Sequence, residues 1–215
     1  MNYDIFKKNP LTYALGRWVM WAVRFVRILQ NRYQRHRIPA LTPEMKRRTL
    51  LDIAQVYGLE TFVETGTYLG ETVRFMAPHF KKIVSYELSA KLHKANVKKL
   101  AKLKNVELLC GDSGDLIQGT LAKLKSPALF WLDAHYSGGA TARGVLDSPI
   151  GAELNAVLSH KVRGHVVVID DSRDFLGLGG YPTIGQLQAF VLQYPDYMLR
   201  LKDDLLIVAP ARETE

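Results

Sequence analysis

Apolar residues recur at Leu11, Ala14, Leu15, Trp18, Val19, Ala22, Phe25, Val26, Leu29 and Tyr33, in steps of three and four. That spacing predicts an amphipathic helix whose arginines, Arg17, Arg24 and Arg27 among them, lie largely off the apolar stripe. Its longest uncharged stretch, Trp18 to Val23, is far short of the ~20 residues that span a bilayer. Arginines interrupt the apolar run and no small-residue cleavage site follows, which argues against a secretory signal. The segment Ile38 to Pro43 reads as a linker, with Thr42 capping a helix that begins at Pro43 and runs to about Tyr57. The chain therefore divides into a helical extension over 1–41 and a domain over 42–215.

After Gly58 the period changes. Short β-rich runs at Thr61–Glu64, Lys82–Glu87, Val106–Cys110, Ala128–Asp133, Val166–Asp170, Tyr197–Leu201 and Leu205–Ala209 predict strands. Helical stretches at Leu69–Ala77, Ala90–Leu103, Ser113–Leu124, Pro149–Ser159 and Ile184–Gln193 separate the first six. Strands alternating with helices imply parallel βαβ units with right-handed crossovers. Lys202-Asp203-Asp204 is too short for a crossover, so the last two strands form an antiparallel hairpin. The expected fold is α/β and Rossmann-like: a mainly parallel seven-stranded sheet closed by a C-terminal hairpin, with the N-terminal helix appended.

Composition is that of an ordinary globular chain, 47% hydrophobic and 23% charged over 215 residues. The net charge of +8 is unevenly spread. Residues 1–48 carry 11 Lys/Arg against Asp4 and Glu44, a surplus of +9, while 49–215 carry 18 against 19 acids and stand at −1. The domain thus has no basic excess to offer a phosphate backbone, and no nucleic-acid partner is expected. The basic helix within residues 11–37 suits either an anionic membrane surface or packing, on the domain or on a second copy in a homodimer. The single cysteine, Cys110, reads as a small buried thiol on a strand and points to a cytoplasmic setting, peripheral to the inner membrane face if the helix binds lipid.

In such a sheet ligands bind beyond the carboxyl ends of the strands, where strand order reverses. An acidic or polar residue stands at each of those ends: Glu64-Thr65-Gly66, Glu87, Gly111-Asp112-Ser113, Asp133-Ala134-His135 and Asp170-Asp171. Gly66 and Gly70 bracket a turn into a helix N-terminus, where a ligand can approach bare backbone. A dinucleotide site would want G-x-G-x-x-G, whereas here Thr67 sits mid-loop and an acid, Glu64, precedes it. That acid suits a cationic ligand such as S-adenosylmethionine (SAM) better than a pyrophosphate. Glu87 lies about 20 residues on, where an acid accepts both ribose hydroxyls, a spacing that also fits NAD. Asp112 serves either an adenine amino group or the following helix as its N-cap, a job Ser113 could share.

These motifs, Val63-Glu64-Thr65-Gly66-Thr67-Tyr68-Leu69-Gly70, Tyr86-Glu87 and Gly111-Asp112-Ser113, resemble those of class I SAM-dependent methyltransferases over roughly 58–210. The resemblance implies that Glu64 and Gly66 contact the methionine moiety, Glu87 the ribose and Asp112 the adenine. Thr67, Gly70, Thr72 and Ser113 complete the expected cofactor-binding set.

On the acceptor side, Asp133, Asp170 and Asp171 stand at two strand ends that are neighbours in this fold. Three carboxylates in one cleft repel unless protonated or bridged by a cation, and hard oxygen ligands suit Mg²⁺. Such an ion could hold acceptor oxygens and lower a hydroxyl's pKa. The runs Asp133-Ala134-His135-Tyr136 and Asp170-Asp171 are similar to those of metal-dependent O-methyltransferases, the macrocin type most closely. That resemblance implies Asp133, Asp170 and Asp171 as metal ligands, Asp133 acting in catalysis as well. His135 departs from it, an acid being commoner there, and on chemistry alone is a general-base candidate. The loop over 136–148, with Arg143, reads as a lid, Gly177 to Pro182 as a second loop, and Arg173 with Asp174 as a surface pair.

The function these readings converge on is Mg²⁺-assisted O-methylation of a sugar, glycan or small polyol hydroxyl. A nicotinamide-dependent oxidoreductase and a non-catalytic membrane- or partner-binding module are the competing expectations.

Overall fold

In a computed structural model the described residues are 38–132, 149–177 and 181–211. The expected helix within 11–37, the residues Asp133 and His135, and the whole of the 136–148 lid lie outside them. Helix α1, Pro43–Tyr57, has the expected bounds. Thr42 accepts from the Met45 backbone N–H, and Gly58 ends the helix in the left-handed region at φ 62°.

The alternation then unfolds as β1 (Thr61–Glu64), α2 (Glu71–Met76), β2 (Lys82–Glu87), α3 (Ala90–Lys99), β3 (Val106–Cys110), α4 (Ser113–Leu121), β4 (Leu129–Leu132), α5 (Pro149–Leu158), β5 (Val166–Ile169), α6 (Ile184–Val191), β6 (Tyr197–Lys202) and β7 (Leu205–Pro210). These form one seven-stranded sheet in the order β3-β2-β1-β4-β5-β7-β6. The first five strands pair in parallel, and β7 runs antiparallel to both β5 and β6. The predicted α/β fold, a mainly parallel seven-stranded sheet closed by a C-terminal hairpin, is borne out over the described residues.

Two apolar layers hold the sheet. Val63, Val84, Phe130, Val167 and Val208 face Ile117, Leu121, Leu154 and Leu187 on the side of α4, α5 and α6. Their strand neighbours Phe62, Ile83, Leu129, Val166 and Ile207 face Leu50, Ala54, Val73 and Met76 on the side of α1 and α2. Strands buried on both faces need continuous apolar runs, which is why β1, β4 and β5 lack a polar alternation. The sheet order reverses between β1 and β4, and the carboxyl ends of strands at such a switch point are where open α/β sheets generally bind ligands.

One expectation is corrected. Cys110 is exposed, because β3 is the edge strand and Cys110 its last residue.

At the opposite end of the sheet His165 is fully buried, just before β5. The Ala128 backbone N–H donates to its Nδ1 at 3.0 Å, so the proton of the neutral ring sits on Nε2, 3.0 Å from His160 Nδ1. Burial pulls the His165 pKa down to about 4, with the neighbouring His160 adding to the effect.

Candidate active site

The turn after β1 is built from backbone and side-chain bonds to both neighbouring strands. Thr65 N donates to the Trp131 carbonyl and Thr67 N to the Tyr86 carbonyl. Glu64, almost fully buried, accepts from Ser85 Oγ at 2.7 Å, and Ser85 Oγ lies 2.6 Å from Thr67 Oγ1. Thr67 is thus an interior residue of the turn, its hydroxyl turned toward β2. Tyr68 carries φ 45°, unusual for a residue with a Cβ, and its ring is exposed.

Glu87 closes the turn from the side. Its Oε2 accepts from Tyr68 N at 2.8 Å and its Oε1 from Ser89 N at 2.9 Å. Asn96 of α3 donates to the Tyr68 carbonyl at 2.6 Å, and Lys99 donates to that of Leu69. Gly70 then enters α2 at φ 71°, where a Cβ would stand 3.0 Å from Asn96 Oδ1 and 3.1 Å from a Leu100 methyl. Only glycine meets both demands without displacement. Gly66 is half-buried in the turn, and Thr72 is half-buried in the first turn of α2.

On the far side of Glu87, Gly111 N donates to the Glu87 carbonyl, which brings the end of β3 beside the end of β2. Asp112 Oδ1 accepts from Gly114 N at 2.8 Å, so Asp112 is the N-cap of α4. Ser113 Oγ donates to Glu153 Oε1 of α5. Glu153 was not singled out from the sequence. It is 3% exposed, and burial, with the Asp112 charge adding, raises its pKa to about 7. The available signal was its place on the apolar stripe of α5 beside Ile150, Leu154 and Val157.

The acceptor side holds a second surprise. Asp170 and Asp171 are both buried at the end of β5, and Lys46 of α1 bridges them, its Nζ 2.7 Å from Asp170 Oδ2 and 3.2 Å from Asp171 Oδ1. Arg173 donates from Nη2 to Asp171 Oδ1 at 2.8 Å, and its Nη1 pairs with Asp204, a fully buried residue of the β6–β7 turn. The expected surface pair of Arg173 with Asp174 is corrected accordingly: Arg173 turns inward, drawn by two buried carboxylates. Asp171 itself adopts φ 52°, ψ 51° ahead of a single 3-10 turn over Ser172–Asp174, and its side chain makes no capping bond. Burial raises the Asp170 carboxyl above its usual range, helped by the Asp171 charge and opposed by Lys46. Lys46 could have been found in the sequence, since it falls in step with the buried residues Leu50 and Ala54 at intervals of four.

The register joins the two halves. Leu132 pairs with Ile169, and Asp170 N donates to the Leu132 carbonyl, so Asp170 stands beyond the end of β4. Asp133, the third expected metal ligand, and His135, the expected base, follow Leu132 outside the described residues.

No protein-family model and no curated protein sequence matches the chain. Solved structures do share its fold. The O-methyltransferase TomG from Streptomyces achromogenes, involved in tomaymycin synthesis and crystallised with SAM, is 17% identical, with 81% of this chain and 82% of that one covered at a TM-score of 0.56. An O-methyltransferase from Bacillus cereus in complex with SAH is also 17% identical, over 86% and 89% at 0.57. A methyltransferase from Geobacter sulfurreducens is 13% identical, over 93% and 96% at 0.55. The chain has the Rossmann-like fold of SAM-dependent methyltransferases.

Proposed function

We propose that this protein is a SAM-dependent methyltransferase acting on a hydroxyl oxygen of a sugar, glycan or other small polyol. The observation that carries the reading is Glu87: a carboxylate at the end of β2, fastened to the turn after β1, at the point where a ribose diol is held in sheets of this order. The donor set suits the ligand. Glu64 brings a buried carboxylate that favours a cationic methionine moiety, and Glu87 brings acceptors for a diol. Asp112 and Ser113 flank the same crevice at the end of β3, on the side assigned to adenine.

When bound, SAM supplies a methyl group on a sulfonium; an acceptor oxygen takes it as the carbon–sulfur bond breaks and the electron pair stays on sulfur. The protein's task is then to orient the acceptor in line and to receive its proton. His135 is the residue we assign to that proton, with Asp133, two positions earlier in the sequence, as its expected catalytic partner. Magnesium assistance, expected from the acid cluster, fits the described residues poorly, because both described carboxylates of the proposed ligand set already hold organic cations.

Calorimetric titration with SAM and with NAD tests the reading. Micromolar binding of SAM with none of NAD is the expected result, and the reverse would overturn it in favour of an oxidoreductase.

A further inference from the structure

We propose that Lys46 is the resident cation of the Asp170–Asp171 pair and stands where a divalent ion would otherwise sit, so that this acceptor-side site works without metal. Two adjacent carboxylates buried this deeply cannot both stay ionised without a compensating positive charge. The chain supplies that charge itself. The Lys46 ammonium touches one oxygen of each carboxylate, and Arg173 touches the same Asp171 oxygen and carries the network on to Asp204. A protonated lysine has three donors and no lone pair, so it can only compete with a metal ion for these oxygens and never join its coordination shell. An ion seated on Asp170 Oδ2 would meet an ammonium at contact distance, and Mg²⁺ tolerates few departures from an octahedral shell of oxygens.

The placement is built into the fold. Lys46 lies on the inward stripe of α1, one turn before Leu50, which is fully buried, so the packing of α1 against the sheet delivers the ammonium to the end of β5. Lys46 is therefore a positioning residue: it fixes the two carboxylates with a point charge on a flexible stem and ties α1 to the acceptor side of the crevice.

The catalytic meaning of this assignment rests on the methyltransferase reading, whereas its electrostatic content does not. The test is Mn²⁺ titration of the full chain, followed by paramagnetic resonance and calorimetry. Wild-type protein is expected to bind no Mn²⁺ up to millimolar concentration. Lys46→Met, which keeps the length of the stem and removes the charge, should gain one site with at least ~100-fold higher affinity. Adding Asp170→Asn should abolish that gain, and Lys46→Arg should exclude Mn²⁺ as wild type does. One Mn²⁺ bound tightly by wild type and lost in Asp170→Asn would overturn the proposal, and so would a folded Lys46→Met that gains no site. Should Lys46→Met fail to fold, the wild-type titration decides alone. SAM titration of the same samples reports separately: exclusion of Mn²⁺ without SAM binding would leave Lys46 in its role and remove the enzymatic reading.

Discussion

The Tyr68 backbone N–H donates to Glu87 Oε2 at 2.8 Å, tying the turn after β1 to the end of β2 across 19 positions of sequence. With the bond from Ser89 N, each Glu87 oxygen accepts one backbone N–H, which orients the carboxylate before any ligand arrives. Ligand binding to such a site costs little ordering of the protein.

Replacing Glu87 by Gln keeps the size, removes the charge and sets an amide NH2 against one of the two backbone N–H donors. Charge-assisted hydrogen bonds contribute about 1.5–3 kcal/mol each, so SAM affinity should fall roughly 10- to 100-fold, measured by calorimetry. An unchanged Kd would remove Glu87 from the donor site.

Gly70→Ala should destabilise the domain by about 1–3 kcal/mol in urea denaturation. A Cβ at φ 71° is strained, and it would also press on Asn96 Oδ1 at 3.0 Å, the side chain that holds the Tyr68 carbonyl. A Gly58→Ala control carries the strain at φ 62° with nothing within 4 Å, so it should cost less.

His165 predicts an acid limit to stability. Its folded pKa is near 4, below the ~6.5 of an unfolded histidine, so between these values the unfolded chain binds the proton and the folded one does not. The stability tied to the neutral ring is complete above pH ~6.5 and is lost as pH falls toward 4, by roughly 3 kcal/mol in all. In His165→Asn, urea midpoints between pH 4.5 and 7 should vary less steeply than in wild type. Equal slopes would show that the ring is not the titrating group.

Glu153 has the opposite signature. Its folded pKa near 7 lies above the ~4.3 of an unfolded glutamate, so stability declines as pH rises through that window and the penalty is complete above 7. Glu153→Gln should match wild type near pH 4.5 and exceed it at pH 8 by up to roughly 3 kcal/mol, read from denaturant midpoints.

Period and punctuation made most of the fold legible. The bounds expected for β1, β2, β3 and α1 are those observed, because each run is framed by turn residues or caps such as Thr42 and Gly58. The helices between the strands end earlier than their sequence pattern predicts. Leu69 looked like the start of a helix on its apolarity, yet Tyr68 and Gly70, both at positive φ, hold the chain in the turn until Glu71. The candidate site was legible where residues act at strand ends, and less so where they arrive from elsewhere. Glu64, Glu87, Asp112, Asp170 and Asp171 stand at strand ends, which the topology alone brings to one edge of the sheet. Lys46 and Glu153 come from helix faces, and their roles depend on packing that a linear pattern does not encode. Both stand on apolar stripes, and a charged residue in that position is the trace such packing leaves in a sequence.

The exposed thiol at the end of β3 gives the protein a built-in spectroscopic handle. Cys110 is the sole cysteine of the 215 residues, and its Cα partner in the sheet register is Glu87. A maleimide dye would therefore attach at one known place, at the lip of the proposed donor crevice. Its fluorescence could follow ligand entry in the unmutated chain.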